Sequence, residues 1–242
     1  MKRNRHPSSE RVNATALTWR TYLVPKRGHS ATECEDAIAG DPAAGRFAVA
    51  DGASESYAAG EWARLLVESF VRDGGEGDWL IAPRVAWHDQ VVGRAVSWYA
   101  EDKFASGGHA TFLGLTVTGP RWTALAAGDA NLFVVRDGAL DTSFPVETSA
   151  GFTGSPPLVR SWGDEPMWEF GLGDLQPGDA LLLATDALAQ AILASHEAGE
   201  FIGPALLALG EPDAFTGWVE AARDGGQLRN DDVALAVLEY KP

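Results

Sequence analysis

Residues 47–52 read FAVADG, a short apolar run that stops at Asp51 and Gly52. Such a run is typical of a buried strand. The same arrangement returns at residues 181–186, which read LLLATD and place Asp186 after another apolar run. A carboxylate at the mouth of a buried strand is costly unless it is paired or bound to a cation, and no basic residue is adjacent to Asp51 or Asp186 in the sequence. The two aspartates are therefore candidate cation ligands.

Three further acidic sites border apolar runs in the same way. Each aspartate taken alone is also explained as a turn former or a helix N-cap. As a set, however, they provide hard oxygen ligands at strand ends, which Mg²⁺ and Mn²⁺ prefer. The set predicts a site for divalent cations. Its additional members are Glu35-Asp36 before residues 37–39, Asp129 after residues 126–128, and Asp231-Asp232 before Val233.

Composition narrows the possible partners and the compartment. The 242 residues carry 34 acidic and 19 basic side chains and a formal net charge of −15, which disfavours nucleic acid and anionic membranes as partners. The single cysteine, Cys34, excludes an internal disulfide and a thiolate zinc cluster. The opening MKRNRHPSSE lacks the apolar region of a secretory signal, and no apolar run is long enough for a spanning helix. We expect a cytoplasmic protein.

Hydrophobic periodicity predicts an α+β layered fold in one domain, residues 15–242, after a flexible tail at residues 1–14. The strands at 111–117, 122–127 and 132–136 follow one another closely and predict an antiparallel meander. The segment 141–178 is rich in Gly, Pro and Ser and predicts an irregular, flap-like surface segment. The other predicted strands are 17–24, 47–50, 180–184 and 233–240, and the predicted helices are 58–71, 83–104, 187–196, 204–209 and 212–223.

The order of the acidic motifs resembles the metal-dependent protein phosphatases of the PPM (type 2C) family, particularly the compact bacterial members. Each motif is short, but all five occur in the family's order and cover almost the whole chain. The segment beginning at Thr111 is also similar to the family's Gly-Ser-Thr-Ala segment. The motifs are Glu35-Asp36, Asp51-Gly52, Gly128-Asp129-Ala130-Asn131, Thr185-Asp186-Ala187 and Asp231-Asp232.

The resemblance implies a four-layer α-β-β-α sandwich of two mainly antiparallel sheets flanked by helices. It implies two divalent cations, Mn²⁺ or Mg²⁺, and a weaker third. Asp51 and Asp36 would be the catalytic carboxylates. The implied metal ligands are Asp36, Asp51, the Gly52 carbonyl, Asp186 and Asp231, with Asp129 for the third cation and with Glu35 and Asp232 behind these ligands.

The implied activity is that of a serine/threonine phosphoprotein phosphatase, which hydrolyses phosphomonoesters through a hydroxide that bridges the two cations. Its substrate would be a protein phosphorylated by a Ser/Thr kinase. Two alternatives remain open: a catalytically degenerate regulatory or binding protein with the same fold, and a hydrolase of small phosphoesters. Cys34 is a rival nucleophile, but it lacks the glycine loop and arginine of cysteine phosphatases, so we interpret it as a small buried residue.

The sequence departs from the family pattern at the phosphate contact. The family often has an arginine five residues before the metal-proximal aspartate, and Ala31 holds that position here. Lys26, Arg27 and His29 are possible substitutes, and we take His29 as the phosphate-binding candidate. Because the carboxylates are intact, metal binding is predicted more firmly than the substrate.

Overall fold

The computed structural model describes residues 17–91 and 101–241, which form two antiparallel sheets with helices on their outer faces. The first sheet has the strand order β1-β11-β10-β6-β7. These strands are β1 Leu17–Val24, β6 Asn131–Arg136, β7 Ala139–Phe144, β10 Ala180–Ala184 and β11 Val233–Tyr240.

The second sheet has the order β2-β3-β4-β5-β9, and the two-residue strand β8 pairs with β4. These strands are β2 Asp36–Asp41, β3 Arg46–Gly52, β4 His109–Thr118, β5 Arg121–Ala127, β8 Val159–Arg160 and β9 Glu169–Asp174. The helices are α1 Ala59–Asp73, α2 Ile81–Val91, α3 Glu101–Ser106, α4 Asp186–Glu197, α5 Gly203–Ala208 and α6 Pro212–Asp224.

Three apolar layers hold the sandwich together. On β10, Leu181 and Leu183 face the layer between the sheets, whereas Leu182 faces the layer beneath α4, α5 and α6. The third layer packs the second sheet against α1 and α2, with Trp62 fully buried in it. Because strand side chains alternate between faces, both faces of β10 are buried, which explains its uninterrupted apolar sequence. The predicted four-layer α-β-β-α architecture is confirmed.

The predicted meander needs correction. Strands β4 and β5 pair as expected, but β6 belongs to the other sheet, where it lies between β10 and β7. The chain changes sheet at residues 128–130, where Gly128 adopts a φ of +100° and a Cβ would lie 2.7 Å from Thr111 and 2.8 Å from the Pro157 carbonyl oxygen. Only glycine fits this close approach. In the sequence alone, Gly128-Asp129 is typical of an ordinary hairpin turn.

The expectation of irregular structure across residues 141–178 also needs correction, since most of β7 and all of β8 and β9 lie within it. In β9 the glycines make room for aromatic rings. A Cβ on Gly171 would lie 3.0 Å from the Phe144 ring, and one on Gly173 would lie 2.7 Å from the Trp122 ring. Glycines that suggested a loop therefore allow a strand to pack closely.

Most of the other predicted elements occur with bounds within three residues of those expected. Strands β1, β10 and β11 have the predicted bounds. Of the helix expected at 83–104, α2 and α3 cover the two ends, and residues 92–100 lie outside the described residues, as does the predicted tail at 1–14. No helix within the described ranges has both the length and the apolar character needed to cross a bilayer.

Candidate metal centre

The sandwich brings the predicted acidic residues to one of its ends. Asp36 and Asp51 are direct cross-strand partners at the start of β2 and the end of β3. Asp186 lies two residues after β10, and Asp231 lies two residues before β11, whose Leu235 pairs with Ala184, the last residue of β10. Asp129 lies in the crossover from β5 to β6. Residues far apart in the sequence thus meet at one end of the sandwich, where strands of both sheets begin or end.

Thr185 connects the two sheets at this end of the sandwich. Its hydroxyl donates a 2.7 Å hydrogen bond to Oδ2 of Asp36 and accepts one of 2.9 Å from the backbone N–H of Ala234. Thr185 is fully buried and Asp36 is 6% exposed. The single hydroxyl therefore fixes the carboxylate of β2 against β10 and β11. Thr185 stands directly before Asp186 in the sequence, but that position alone does not indicate this role.

Burial places these carboxyl groups in an unfavourable electrostatic environment. It raises the pKa of Asp51 well above the usual range, and the negative charges of Asp36 and Asp231 raise it further. Burial also raises the pKa of Asp36 to about 7, although its bond to Thr185 acts in the opposite direction. Burial raises the pKa of Asp129 to about 6. A cluster of this kind favours the binding of positive charge.

Unpaired buried oxygen atoms identify where that charge would bind. Oδ1 of Asp36, Oδ1 of Asp129 and the hydroxyl of Thr111 are buried without a hydrogen-bond partner. Thr111 is the cross-strand partner of Asp51. Within residues 17–91 and 101–241, no three His, Cys, Asp or Glu side chains form a ready-made metal cage. The donor set nevertheless fits hard divalent cations, since carboxylate oxygens with free lone pairs are what such cations bind.

Asp186 and Asp231 are joined by Arg229, a residue that the sequence motifs do not include. Arg229 donates through Nη2 to Oδ2 of Asp186, and its Nε lies 3.3 Å from Oδ2 of Asp231. Its Nη1 lies 3.4 Å from Oε1 of Gln190. The guanidinium thus contacts two of the predicted metal ligands.

Asp232 and Glu35 lie behind the cluster. Asp232 accepts hydrogen bonds from the backbone N–H groups of Lys26, at 2.7 Å, and of Glu35, at 2.9 Å. Both of its oxygens are therefore used to fix the chain before β2. The side chain of Glu35 accepts a hydrogen bond from the hydroxyl of Ser54 and lies 3.8 Å from Nζ of Lys26.

Gly52 allows α1 to approach the sheet at this end of the sandwich. A Cβ at Gly52 would lie 2.7 Å from the carbonyl carbon of Ala59 and 2.9 Å from the carbonyl oxygen of Glu35. The Gly52 N–H donates to that same Glu35 oxygen at 3.1 Å. A larger residue would separate β3 from Ala59 of α1 and from Glu35. Packing therefore requires glycine here, whether or not its carbonyl binds a cation.

Two cavities open beside the cluster. The first, which we call the groove, has a volume of about 450 Å³ and is lined by Asp51, Ala53, Glu55, Thr111, Asp186, Arg229 and residues of the segment 152–158. The second has a volume of about 460 Å³ and contains His29, the predicted phosphate ligand, together with Lys26, Cys34, Glu35, Ser54 and Arg64.

Cys34 is half-buried rather than buried as expected, and its thiol is unsuited to nucleophilic attack. Burial, followed by the negative charges of Asp36 and Asp232, raises the pKa of its thiol to about 12. The thiol therefore stays protonated near neutral pH, and a protonated thiol is a poor nucleophile.

The raised pKa values predict how pH affects stability. A carboxyl whose pKa is higher in the folded than in the unfolded chain contributes stability that is present below about pH 4 and lost as the pH rises through the folded pKa. With EDTA, Tm should therefore fall between about pH 5 and about pH 7.5, the window set by Asp36 and Asp129.

Divalent cations bind the ionised carboxylates, so the increase in Tm caused by Mn²⁺ should be larger at about pH 7.5 than at about pH 5. Thermal unfolding at both pH values, with Mn²⁺ or EDTA, measures this difference. An equal or smaller increase at the higher pH would mean that these carboxylates do not bind the cation.

Comparison with known proteins gives a consistent result for the fold. No protein-family model and no curated protein matches the sequence. The structure of the serine/threonine phosphatase PstP/Ppp from Mycobacterium tuberculosis superposes with a TM-score of 0.64 at 20% sequence identity, covering 93% of this chain and 99% of that chain. PppA, a key regulatory component of T6SS in Pseudomonas aeruginosa, superposes with a TM-score of 0.65 at 18% identity, covering 93% and 97%.

A further structure contains the catalytic domain of PstP in complex with two manganese ions, with a TM-score of 0.62 at 20% identity, covering 93% of this chain and 100% of that chain. At these identities the comparison establishes the fold. The chain has the fold of the PPM-type serine/threonine phosphatases, as the resemblance implied.

Proposed function

We propose that this chain is a metal-dependent serine/threonine phosphoprotein phosphatase of the PPM type. The observation that carries the proposal is the buried pair Asp36 and Asp51, held side by side across β2 and β3 with raised pKa values. The fold shared with solved phosphatases supports the proposal, and so does the complex of one of them with two manganese ions.

The cation ligands that we propose are the predicted ones. Asp51, which lines the groove beside Thr111, would hold both cations, and the Gly52 carbonyl would hold one of them. Asp186 and Asp231, which Arg229 joins in this structure, would hold the other cation. Asp36 would bind a cation directly or through water, and Asp129, whose Oδ1 is unpaired, would bind a weaker third cation.

When bound, two such cations supply a water molecule of lowered pKa and offset the charge on the phosphoryl oxygens. The chain's own residues supply the positioning. Thr185 fixes the orientation of Asp36, and Asp232 holds the backbone that precedes it. Asp51 faces the groove, through which a phosphorylated side chain would enter.

The substrate we propose is a phosphoserine or phosphothreonine side chain of a protein, the product of a Ser/Thr kinase. The groove is open to solvent on the protein surface, so a residue within a polypeptide can reach it. The competing candidate is a binding protein without turnover. Ala31 favours that candidate because it occupies the position of the family's phosphate-clamping arginine.

A comparison of two substrates tests this proposal. Phosphate release from a phosphothreonine peptide and from p-nitrophenyl phosphate should both require Mn²⁺ or Mg²⁺, with the higher kcat/KM for the peptide. A higher kcat/KM for p-nitrophenyl phosphate would replace the protein substrate by a small phosphoester. Folded protein that hydrolyses neither compound with either cation would contradict catalysis and favour the binding protein.

A further inference from the structure

The residue that binds the substrate phosphate is not settled by the family pattern, because Ala31 cannot hold an anion. Three basic side chains lie between β1 and β2, but their positions are unfavourable. Arg27 is paired with Glu220 and Asp224 on the surface. Lys26 points toward Glu35 and Ser54, and both it and His29 line the second cavity.

Arg229 lies on the side of the acidic cluster that faces the groove. Of the described residues that line the groove, it alone carries a positive charge, and it shares the groove with Asp51 and Asp186. Its side chain is 41% exposed, so the guanidinium is accessible from the groove. A guanidinium presents several donors in one plane and binds phosphate oxygens in pairs.

In this structure Arg229 is paired with two carboxylates that are proposed cation ligands. It contacts Oδ2 of Asp186 and Oδ2 of Asp231. A dication bound by these two residues removes the acceptors of Arg229 and repels its positive charge. The side chain, anchored at the groove, then has donors available for another anion.

We propose, resting on the proposed function, that Arg229 is the phosphate-binding residue of this chain and that it exchanges Asp186 and Asp231 for the substrate phosphate when a divalent cation binds. Arg229 competes with the cation for these carboxylates and then cooperates with it in holding the phosphate. One residue thus couples the two binding events.

Arg229→Gln should change the two affinities in opposite directions, which a merely structural role would not do. By titration calorimetry, Mn²⁺ should bind the variant about tenfold more tightly, because a competitor has been removed. Inorganic phosphate should bind the Mn²⁺-saturated variant at least about tenfold more weakly, because a charge-assisted hydrogen-bond donor has been lost. In turnover, KM for phosphopeptide should rise.

Three further variants separate the effect of Arg229 from those of charge alone and of other basic residues. Arg229→Lys keeps the charge and should retain most of the competition with Mn²⁺ while binding phosphate less tightly. Arg121→Gln is the matched control, because Arg121 lies at the opposite end of β5 from the crossover and pairs with Asp174. His29→Ala should leave phosphate affinity unchanged.

Unchanged Mn²⁺ affinity in Arg229→Gln, or unchanged phosphate affinity, would overturn the proposal, and a larger phosphate loss in His29→Ala would assign the contact to His29. Failure of the proposed function looks different. In that case the Mn²⁺-loaded wild-type protein releases no phosphate from any substrate, whereas the opposite shifts in Mn²⁺ and phosphate affinity remain measurable without turnover.

Discussion

Replacing Asp51 by asparagine is expected to lower kcat/KM for a phosphothreonine peptide by about 10³-fold or more, or about 4 kcal/mol of transition-state stabilisation. Asp51 is the proposed ligand shared by both cations, and it lies opposite Asp36 and Thr111 in the second sheet. An amide oxygen carries no net charge, so it holds two dications poorly. Steady-state phosphate release with saturating Mn²⁺ measures the loss.

The same variant should be more stable than the wild-type protein when EDTA is present. Burial and the charges of Asp36 and Asp231 raise the pKa of Asp51, so its ionised form is unfavourable in the folded chain. Removing that charge should raise Tm by about 2–4 °C for each kcal/mol of relief. Lower activity together with higher Tm would separate a functional role from a folding defect.

The matched control is Asp137→Asn. Asp137 is an exposed residue of the turn between β6 and β7 with a φ of +51°, a conformation that asparagine tolerates well. The Asp137→Asn variant should keep wild-type turnover and wild-type Tm. Wild-type turnover in Asp51→Asn itself would exclude Asp51 as the bridging ligand.

Replacing Thr185 by valine is expected to lower the free energy of unfolding by about 3 kcal/mol, although the two side chains are similar in size. The change removes the donor to Oδ2 of Asp36 and the acceptor of the Ala234 N–H, and all of these groups are buried. Two unsatisfied polar groups would remain where two sheets meet. Tm should fall by about 6–12 °C in thermal unfolding.

Thr185→Ser is the control for this prediction, since it keeps the hydroxyl and loses only a methyl group. It should cost about 1 kcal/mol. Loss of the hydroxyl also removes the interaction that lowers the pKa of Asp36, so Thr185→Val should weaken Mn²⁺ binding near neutral pH. Equal stability of the valine and serine variants would show that packing, rather than the hydrogen bonds, makes Thr185 necessary.

The sequence was sufficient for the fold class because the apolar runs are unambiguous. Strands β10 and β11 are apolar at nearly every position, which requires cover on both faces and therefore a layered structure. The carboxylates at strand ends were predictable for a related reason, since a charge directly after a buried strand needs a partner. The structure brings Asp36 and Asp51 together as cross-strand neighbours.

What the sequence could not predict depends on contacts between distant segments. The chain changes sheet at Gly128, but a glycine next to an aspartate is equally typical of a hairpin turn. The glycines of β9 resemble a loop until their neighbours, the rings of Phe144 and Trp122, are known. Thr185 and Arg229 acquire their roles from Asp36 and Asp186, which are respectively 149 and 43 residues away along the chain.

The most direct test of a metal-dependent phosphatase is phosphate release from a phosphothreonine peptide by the wild-type protein, with Mn²⁺ and then with EDTA in excess. We expect release with Mn²⁺, its loss in EDTA and its return when Mn²⁺ is restored, with Asp51→Asn inactive throughout. Release that continues in EDTA, or no release from folded protein with either Mn²⁺ or Mg²⁺, would contradict a metal-dependent phosphatase.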